Sequence, residues 1–277
     1  MIGVRTQRKR MQQVLLYALM SVVCGVVALP FLWLFASSFK TTREIFVAPF
    51  GLPEAWQWTN YLRAWQGGIA NYIGNSLLVT AVSVLIIITV SGMAAYALAR
   101  LQFQGRVAIY LLIVVGYAVP IHTVIVPLYE LLSDLNLLNT YPGLIGPYVA
   151  FGMPFSVLLL YGFFLEFPKE LEDAAYLDGC NMWQLLWHVV APVSRPALAS
   201  VAIFQGVFIW NEFLLALIIM NDKARQTLPV GLATFRGEWA SNWPVLLAAV
   251  SLATLPILLI YVLLQRYFVN SLTGFGK

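Results

Sequence analysis

Residues 72–99 read YIGNSLLVTAVSVLIIITVSGMAAYALA, twenty-eight consecutive positions without a charged side chain. At about 1.5 Å per residue, a helix of about twenty residues crosses a hydrocarbon core of about 30 Å. This run is long enough, and it is one of six; the others lie near 14–36, 107–131, 143–165, 197–220 and 244–265. They are continuous apolar stretches rather than ten-residue alternating segments, so they predict helices and not the strands of a barrel. The expected fold class is an all-α membrane protein with six transmembrane helices. Composition agrees: 61% of residues are hydrophobic and 10% charged, where soluble domains carry about a quarter charged.

Composition also excludes several classes of chemistry. Cys24 and Cys180 have neither metal-ligand spacing nor the numbers for a disulfide framework, so neither a metal site nor redox chemistry is expected. There is no G-x-x-x-x-G-K-[ST] segment. The phosphate cradle that such a loop provides is missing, so no cofactor is expected in this chain and any ATP would be held by another. No nucleophile elbow, paired metal ligands or His-rich cluster points to an enzyme.

The basic cluster RTQRKR at residues 5–10 reads as an orientation signal on a membrane protein rather than as a nucleic-acid patch. The apolar run behind it is about twenty residues long and lacks a small-x-small site, so a cleaved leader is not expected. Placing the N-terminus inside leaves ten Lys and Arg in the inner segments: Arg5, Arg8, Lys9, Arg10, Arg100, Arg106, Lys169, Arg195, Arg266 and Lys277. Six fall outside: Lys40, Arg43, Arg63, Lys223, Arg225 and Arg236. The bias predicts cytoplasmic termini. Trp56, Trp58, Trp65, Trp239 and Trp243 then lie in outer loops, where amphipathic rings anchor at the lipid interface. Proline and glycine in GYAVPIHTVIVP (116–127) and GLIGPYVAFGMP (143–154) predict interruptions of the third and fourth spans, which a water-lined pathway tolerates.

One internal segment contradicts the apolar theme. PKELEDAAYLDGCNMWQLLWHVVAP, residues 168–192, lies in the second inner loop, and Glu166, Glu170, Glu172, Asp173 and Asp178 are five of the twelve acids in the chain. Pro168 suits a first helical turn, and the early acids suit the positive end of a helix dipole. Asp178-Gly179 is a turn dipeptide. Asn181 is a good N-cap for a second helix, MWQLLWHVV, expected to end at Pro192. Ala174 and Ala175 make a flat face for another backbone. Trp183, Leu186 and Trp187 form an apolar patch that a partner or a membrane surface could cover, and the five acids disfavour an anionic leaflet.

EDAAYLDGCNMWQLLWHVVAP resembles the EAA motif of ABC-importer permeases: Glu-Ala-Ala, three residues, Gly, nine residues, Ile, one residue, Leu-Pro. Asp173, Ala174, Ala175, Gly179 and Pro192 fall in register, with Asp173 in place of the first Glu and Val189 and Ala191 in place of Ile and Leu. Further segments are similar to the sugar-importer branch of that family, the permeases of the maltose-system type: NYIGNSLLVT, SGMAAYALARLQFQGR, LLNTYPGLIGPYVAFGMPFSVLLLYGFF, WNEFLLAL, QTLPVGLATFRGEW and QRYFVNSLTGFGK, in order from 71 to 277.

The resemblance implies a type I importer permease in a bacterial or archaeal plasma membrane. It implies a segment 1–70 holding the first span and outer loop, a permease domain at 71–266 with a coupling loop at about 166–196, and a cytoplasmic tail at 267–277. The implied partners are a second permease, two ATP-binding ATPase subunits, an extracytoplasmic solute-binding protein, lipid and a sugar. Glu172, Asp173, Ala174, Ala175, Asp178, Gly179 and Pro192 are the expected ATPase-coupling residues. Asn211 and Glu212 are the expected substrate contacts, because amide and carboxylate bind hydroxyls, with Phe208 and Trp210 available to stack on sugar rings. A proton-coupled carrier using Glu212, or secondarily His122, is the competing reading, since an ionisable residue inside a span is costly and functional by default. A polyol such as glycerol phosphate is the alternative cargo.

Overall fold

The structure is a computed structural model and describes residues 2–239 and 242–274. Lys277 and the end of the expected C-terminal tail lie outside the described residues. Every regular element among them is helical. The chain divides into two compact units, residues 1–69 with 234–254 and residues 70–233 with 255–277.

In the first unit, α1 (Ile2–Ser38) accommodates Pro30 within a continuous helix, and its most apolar window buries nothing against the rest of the chain. Beyond it Lys40 is enclosed, 1% exposed, because its ammonium donates to the carbonyls of Ala48 and Pro49 at 2.9 and 3.0 Å. A buried cation is costly unless it is compensated, and these two acceptors satisfy it in part. The loop so closed carries α2 (Thr42–Val47), which starts in a reciprocal capping box between Thr41 and Glu44. Phe39 sits against Trp56, Trp58 and Tyr61 with ring centroids 4.7–4.9 Å apart. After α3 (Thr59–Ala64) a π-turn, Trp65–Ile69, bends at Gly68, whose φ of 108° suits a residue without Cβ. Of the tryptophans assigned to the interface, Trp56, Trp58, Trp65 and Trp243 are exposed. Trp239 instead stacks on Phe235 at 5.7 Å.

The second unit is built on α4 (Ala70–Arg100), followed by α5 (Arg106–Tyr117) and α6 (Ile121–Asp134) and then α7 (Tyr141–Leu165). Buried positions recur every fourth residue on both long helices: Val79, Ser83, Ile87, Ser91 and Ala95 on α4, Leu144, Tyr148, Gly152, Ser156, Leu160 and Phe164 on α7. Such i±4 rows interlock as ridges in grooves, and the small residues let the backbones approach. Gly152 shows how closely: a Cβ there would lie 2.6 Å from Ile87 Cδ1 and 2.9 Å from Gln205 Oε1.

The loop segment of the unit contains α8 (Lys169–Leu177), α9 (Met182–Leu185), a π-turn (Leu186–Val190) and α10 (Ala191–Val193). Then come α11 (Arg195–Asn211) and α12 (Leu214–Ile219). The last two helices, α13 (Leu228–Glu238) and α14 (Trp243–Gly274), each run through both units.

α1, the α4 stretch and α7 are each long and apolar enough to cross a membrane. Two bent pairs, α5 with α6 at 98° and Met182–Val193 with α11 at 75°, pass the same test of length and composition only when each pair is taken together, and α14 holds a shorter apolar run, Trp243–Leu259. The expected interruption of the third span is present, at Ala118–Pro120. That of the fourth is not: α7 runs unbroken through Pro147 and Pro154. At its N-terminus Thr140 caps the helix by accepting from Gly143 N–H, and Pro142 occupies the first turn, where a proline costs no hydrogen bond.

Candidate functional site

Two carboxylates organise the second unit, and both are satisfied inside the chain. Local sequence forms the helix-turn-helix as expected. Asn181 accepts from Gln184 N–H at 3.0 Å while Gln184 Oε1 accepts from Asn181 N–H at 2.8 Å, a capping box. Gly179 has φ 81°, the left-handed conformation that stops α8. The helical run does not end at Pro192, however. It widens into the π-turn Leu186–Val190 and continues to Val193, turning only at Ser194. The missing N–H of Pro192 breaks no regular bond there, because the residue lies in the first turn of a short helix that begins at Ala191 after the wide turn.

Tertiary contacts decide which way α8 faces. Glu172, 7% exposed, accepts two nearly parallel bonds from Arg100 at the end of α4: Nε to Oε1 at 2.9 Å and Nη2 to Oε2 at 3.0 Å. Tyr96 O–H adds a third, 3.2 Å from Oε1. A bidentate guanidinium–carboxylate pair fixes orientation as well as distance. Of the expected coupling residues, Glu172 and Ala175 therefore turn into the chain, whereas Asp173, Ala174, Asp178 and Gly179 are exposed on the other side and Pro192 is half-buried. Leu177 stands 89% exposed, and Trp183 and Trp187 are about 60% exposed. The anchor was not foreseen; the signal available was Arg100, a cation ending a long apolar helix.

The second carboxylate sits where the fifth span breaks. The α11 helix stops at Asn211, and Glu212 takes an extended conformation with ψ 128° before the chain resumes as α12. Its carboxylate accepts from Leu215 N–H at 2.9 Å and Ala216 N–H at 3.2 Å, which are first-turn donors of α12, and from Tyr148 O–H at 2.7 Å. A break inside a membrane helix frees backbone N–H groups, and Glu212 is what re-satisfies them.

The four expected substrate contacts separate. Trp210 is 5% exposed and packs; Asn211 is exposed, with its amide donating back to Val207 O at 2.8 Å; Glu212 is occupied as described. Phe208 alone is exposed on a cavity, which it lines with Gln205 and other aromatics. His122 is exposed in the first turn of α6, and no cluster of metal-holding side chains occurs among the described residues.

Asn75 and Asn139 gather the segment after α12. Asn75 donates to the carbonyls of Ala224 and Gln226, both at 2.9 Å, and accepts from Tyr141 O–H at 2.8 Å. Asn139, at φ 57°, accepts from Asn221 and Asp222 N–H.

Residues 88–274 match the family described as the inner membrane component of binding-protein-dependent transport systems. Among curated proteins, the probable ABC transporter permease protein YurM of Bacillus subtilis is 38% identical over 90% of this chain and 83% of its own. The diacetylchitobiose uptake system permease protein NgcG of Streptomyces coelicolor is 37% identical over 93% of this chain and 86% of its own. The trehalose/maltose transport system permease protein MalG of Thermococcus litoralis is 30% identical over 96% of both. Among solved structures, a chain of a bacterial ABC transporter that imports the acidic polysaccharide alginate superimposes with a TM-score of 0.81 at 21% identity, over 94% of this chain and 97% of that one.

Proposed function

We propose that this chain, which belongs to the family of inner membrane components of binding-protein-dependent transport systems, is one of two permease subunits of an ATP-driven importer of sugars or oligosaccharides. The relatives named for diacetylchitobiose and for trehalose and maltose support the saccharide. The observation that carries the coupling role is the two-sidedness of α8. One side is clamped to α4 through Glu172, Arg100 and Tyr96, and the other presents Asp173, Ala174 and Asp178 uncovered. A helix so clamped transmits a push on its free side to α4 as a rigid lever.

The pushing partner is an ATPase subunit, one for each permease, with ATP bound there and not in this chain. The loop and both termini are cytoplasmic in this reading, as the distribution of Lys and Arg favours. The unburied apolar face of α1 is left for lipid and the second permease, and the opposite membrane face receives a saccharide-loaded binding protein. A proton relay through Glu212 is disfavoured, because both oxygens already accept protein hydrogen bonds.

The test reconstitutes the chain with its companion subunits in proteoliposomes and measures saccharide uptake driven by internal ATP. Ala174→Trp adds bulk to the exposed side of α8 without altering its backbone; ATPase association and uptake are expected to be lost together. Full uptake by an intact Ala174→Trp complex would sink the docking role, and uptake that follows an imposed proton gradient without ATP would sink the importer class.

A further inference from the structure

We infer that the slot between α4 and the helical run Met182–Val193 holds an acyl chain of a membrane phospholipid, so that this run lies in the bilayer interface and α8 alone is left for a protein partner. The inference goes beyond the importer reading and does not depend on the saccharide. The slot measures about 100 Å³, with Gly92 and Met93 of α4 on one wall, Trp183, Leu186 and Trp187 on the other, and Leu198 contributed by α11. Both indoles remain more than half exposed.

The run divides cleanly into two faces. Trp183, Leu186, Trp187 and Val190, at the spacing of one helical face, all line the slot. Asn181, Gln184 and His188 make the opposite stripe and are exposed; the first two are joined in the capping box, and His188 Nδ1 lies 3.1 Å from Gln184 O. A short helix so divided lies flat at a membrane surface, apolar side down. Residues 179–194 contain no Asp, Glu, Lys or Arg, whereas α8 carries Lys169, Glu170, Glu172 and Asp173 within nine residues. Contact with a soluble protein ends in a polar rim. The indole face has none, and a lipid tail needs none.

Depth and continuity agree. The slot uses positions 88–93 of α4, three to eight residues past Leu85, the middle of that helix. At about 1.5 Å per residue this is about 5–12 Å from the middle of a bilayer centred on the helix, inside a half-core of about 15 Å. The slot therefore opens at the depth of acyl chains. Leu78, Val82, Ile86, Val90 and Met93 form an exposed apolar stripe along α4, one residue per turn, and the stripe runs into the slot at Met93. Lipid lying along that stripe reaches the indoles without a break.

Water is the poorer filling. An ordered water needs about two to four polar partners. The lining has two hydroxyls, of which that of Thr89 donates to Leu85 O at 2.8 Å and only that of Ser194 is unpaired. Hydrocarbon loses nothing there and covers the apolar wall. With no charged side chain in the lining, the slot selects a tail and not a headgroup.

The test uses the whole complex, companion subunits included, in nanodiscs of phosphatidylcholine that is either plain or brominated in the middle of its acyl chains. The emission of Trp187 is obtained as the difference between wild type and Trp187→Phe. Seated about 5–10 Å below the headgroups, that indole is within reach of the bromines, and its emission is expected to fall about two-fold. The same fall is expected when phosphatidylglycerol with the same brominated tails replaces part of the lipid. Quenching by acrylamide but not by bromine would overturn the inference by placing the face in water, and quenching by neither would overturn it by placing the face against a companion subunit. The slot itself is tested with Gly92→Leu, whose Cβ would meet Leu198 Cδ2 at an ordinary 3.8 Å, and with Met93→Phe at the half-exposed rim should the first variant fail to assemble. Mass spectrometry of the detergent-extracted complex is expected to show one phospholipid fewer per chain, with the unfolding midpoint unchanged. Undiminished phospholipid in an assembled variant would overturn the slot. None of these readings uses uptake, so their failure leaves the importer reading where it stood.

Discussion

Glu172 and Glu212 are both glutamates partly or wholly withdrawn from solvent in the same unit, yet they are held in opposite ways. Glu172 meets a guanidinium and a phenol and ties a loop helix to a membrane helix. Glu212 meets two backbone N–H groups and a phenol and repairs a break within one span. The first is an ion pair whose members depend on each other for compensation. The second distributes one negative charge over neutral dipoles, much as a helix N-terminus binds an anion. The lesson is that an acid in an apolar protein is not by itself a proton carrier: its partners decide whether it is a clamp, a cap or a relay.

Each side of that comparison can be broken separately. The largest effect is expected from Glu172→Ala, which strands Arg100 in a site where the side chains are only 14% and 10% exposed. Removing one member of such a pair costs about 3–5 kcal/mol, and the measurement is loss of thermal stability and of uptake in the assembled complex. The double variant Arg100→Met with Glu172→Leu should recover most of the stability without recovering transport, because it replaces the charges but not the bidentate geometry. Recovery of both would mean that the pair is only packing.

Glu212→Ala comes next. It exposes first-turn donors of α12 and the Tyr148 hydroxyl, at about 1–3 kcal/mol. Glu212→Gln is the sharper experiment: it keeps an acceptor oxygen for the cap and abolishes titration. Uptake close to that of wild type is expected if the residue is a cap, because the glutamine oxygen still accepts from the first turn of α12, through a weaker, neutral hydrogen bond. Complete loss of uptake with intact folding would return Glu212 to the relay class.

Gly179→Val isolates the turn from both carboxylates. A Cβ there would meet nothing within 4 Å, so its cost of about 1–2 kcal/mol is conformational, from a left-handed backbone. Gly179→Asn should cost less, as asparagine tolerates that region, and thermal scans of the two variants give the ranking.

The smallest effect is expected at Glu44, a third glutamate, in α2. The Thr41 backbone N–H, the Thr41 hydroxyl and the Glu54 N–H hold its carboxyl below the usual carboxylate range. The contribution of Glu44 to the stability of the loop is therefore fully present above pH of about 4.3, the ordinary value, and is lost as pH falls through the lowered one. Hydrogen exchange at the Thr41 and Glu54 amides should quicken relative to neighbouring amides across that acid window.

Much of this organisation was legible along the chain. Six apolar runs, the Asp178-Gly179 stop and the Asn181 cap all rest on interactions spanning a few residues, where hydrocarbon burial and turn stereochemistry act directly. The path of Pro192 was misjudged because a π-turn absorbs the proline, and whether that turn forms depends on neighbours beyond the loop. Trp210 and Phe208 could not be ranked from the sequence, since helical spacing places both on α11 but only packing reveals which one is covered.

What the sequence by itself determined was that this protein lives in a membrane as helices, and that one acidic helix-turn-helix stands apart from them. Both conclusions follow from the cost of charge in hydrocarbon and from local backbone preference. Only the tertiary structure decided that Glu172 faces inward and that Glu212 is a cap. Their partners lie 72 and 64 residues away, and which distant donors meet a carboxylate is set by how α4, α7 and α11 pack, a property that no local pattern encodes.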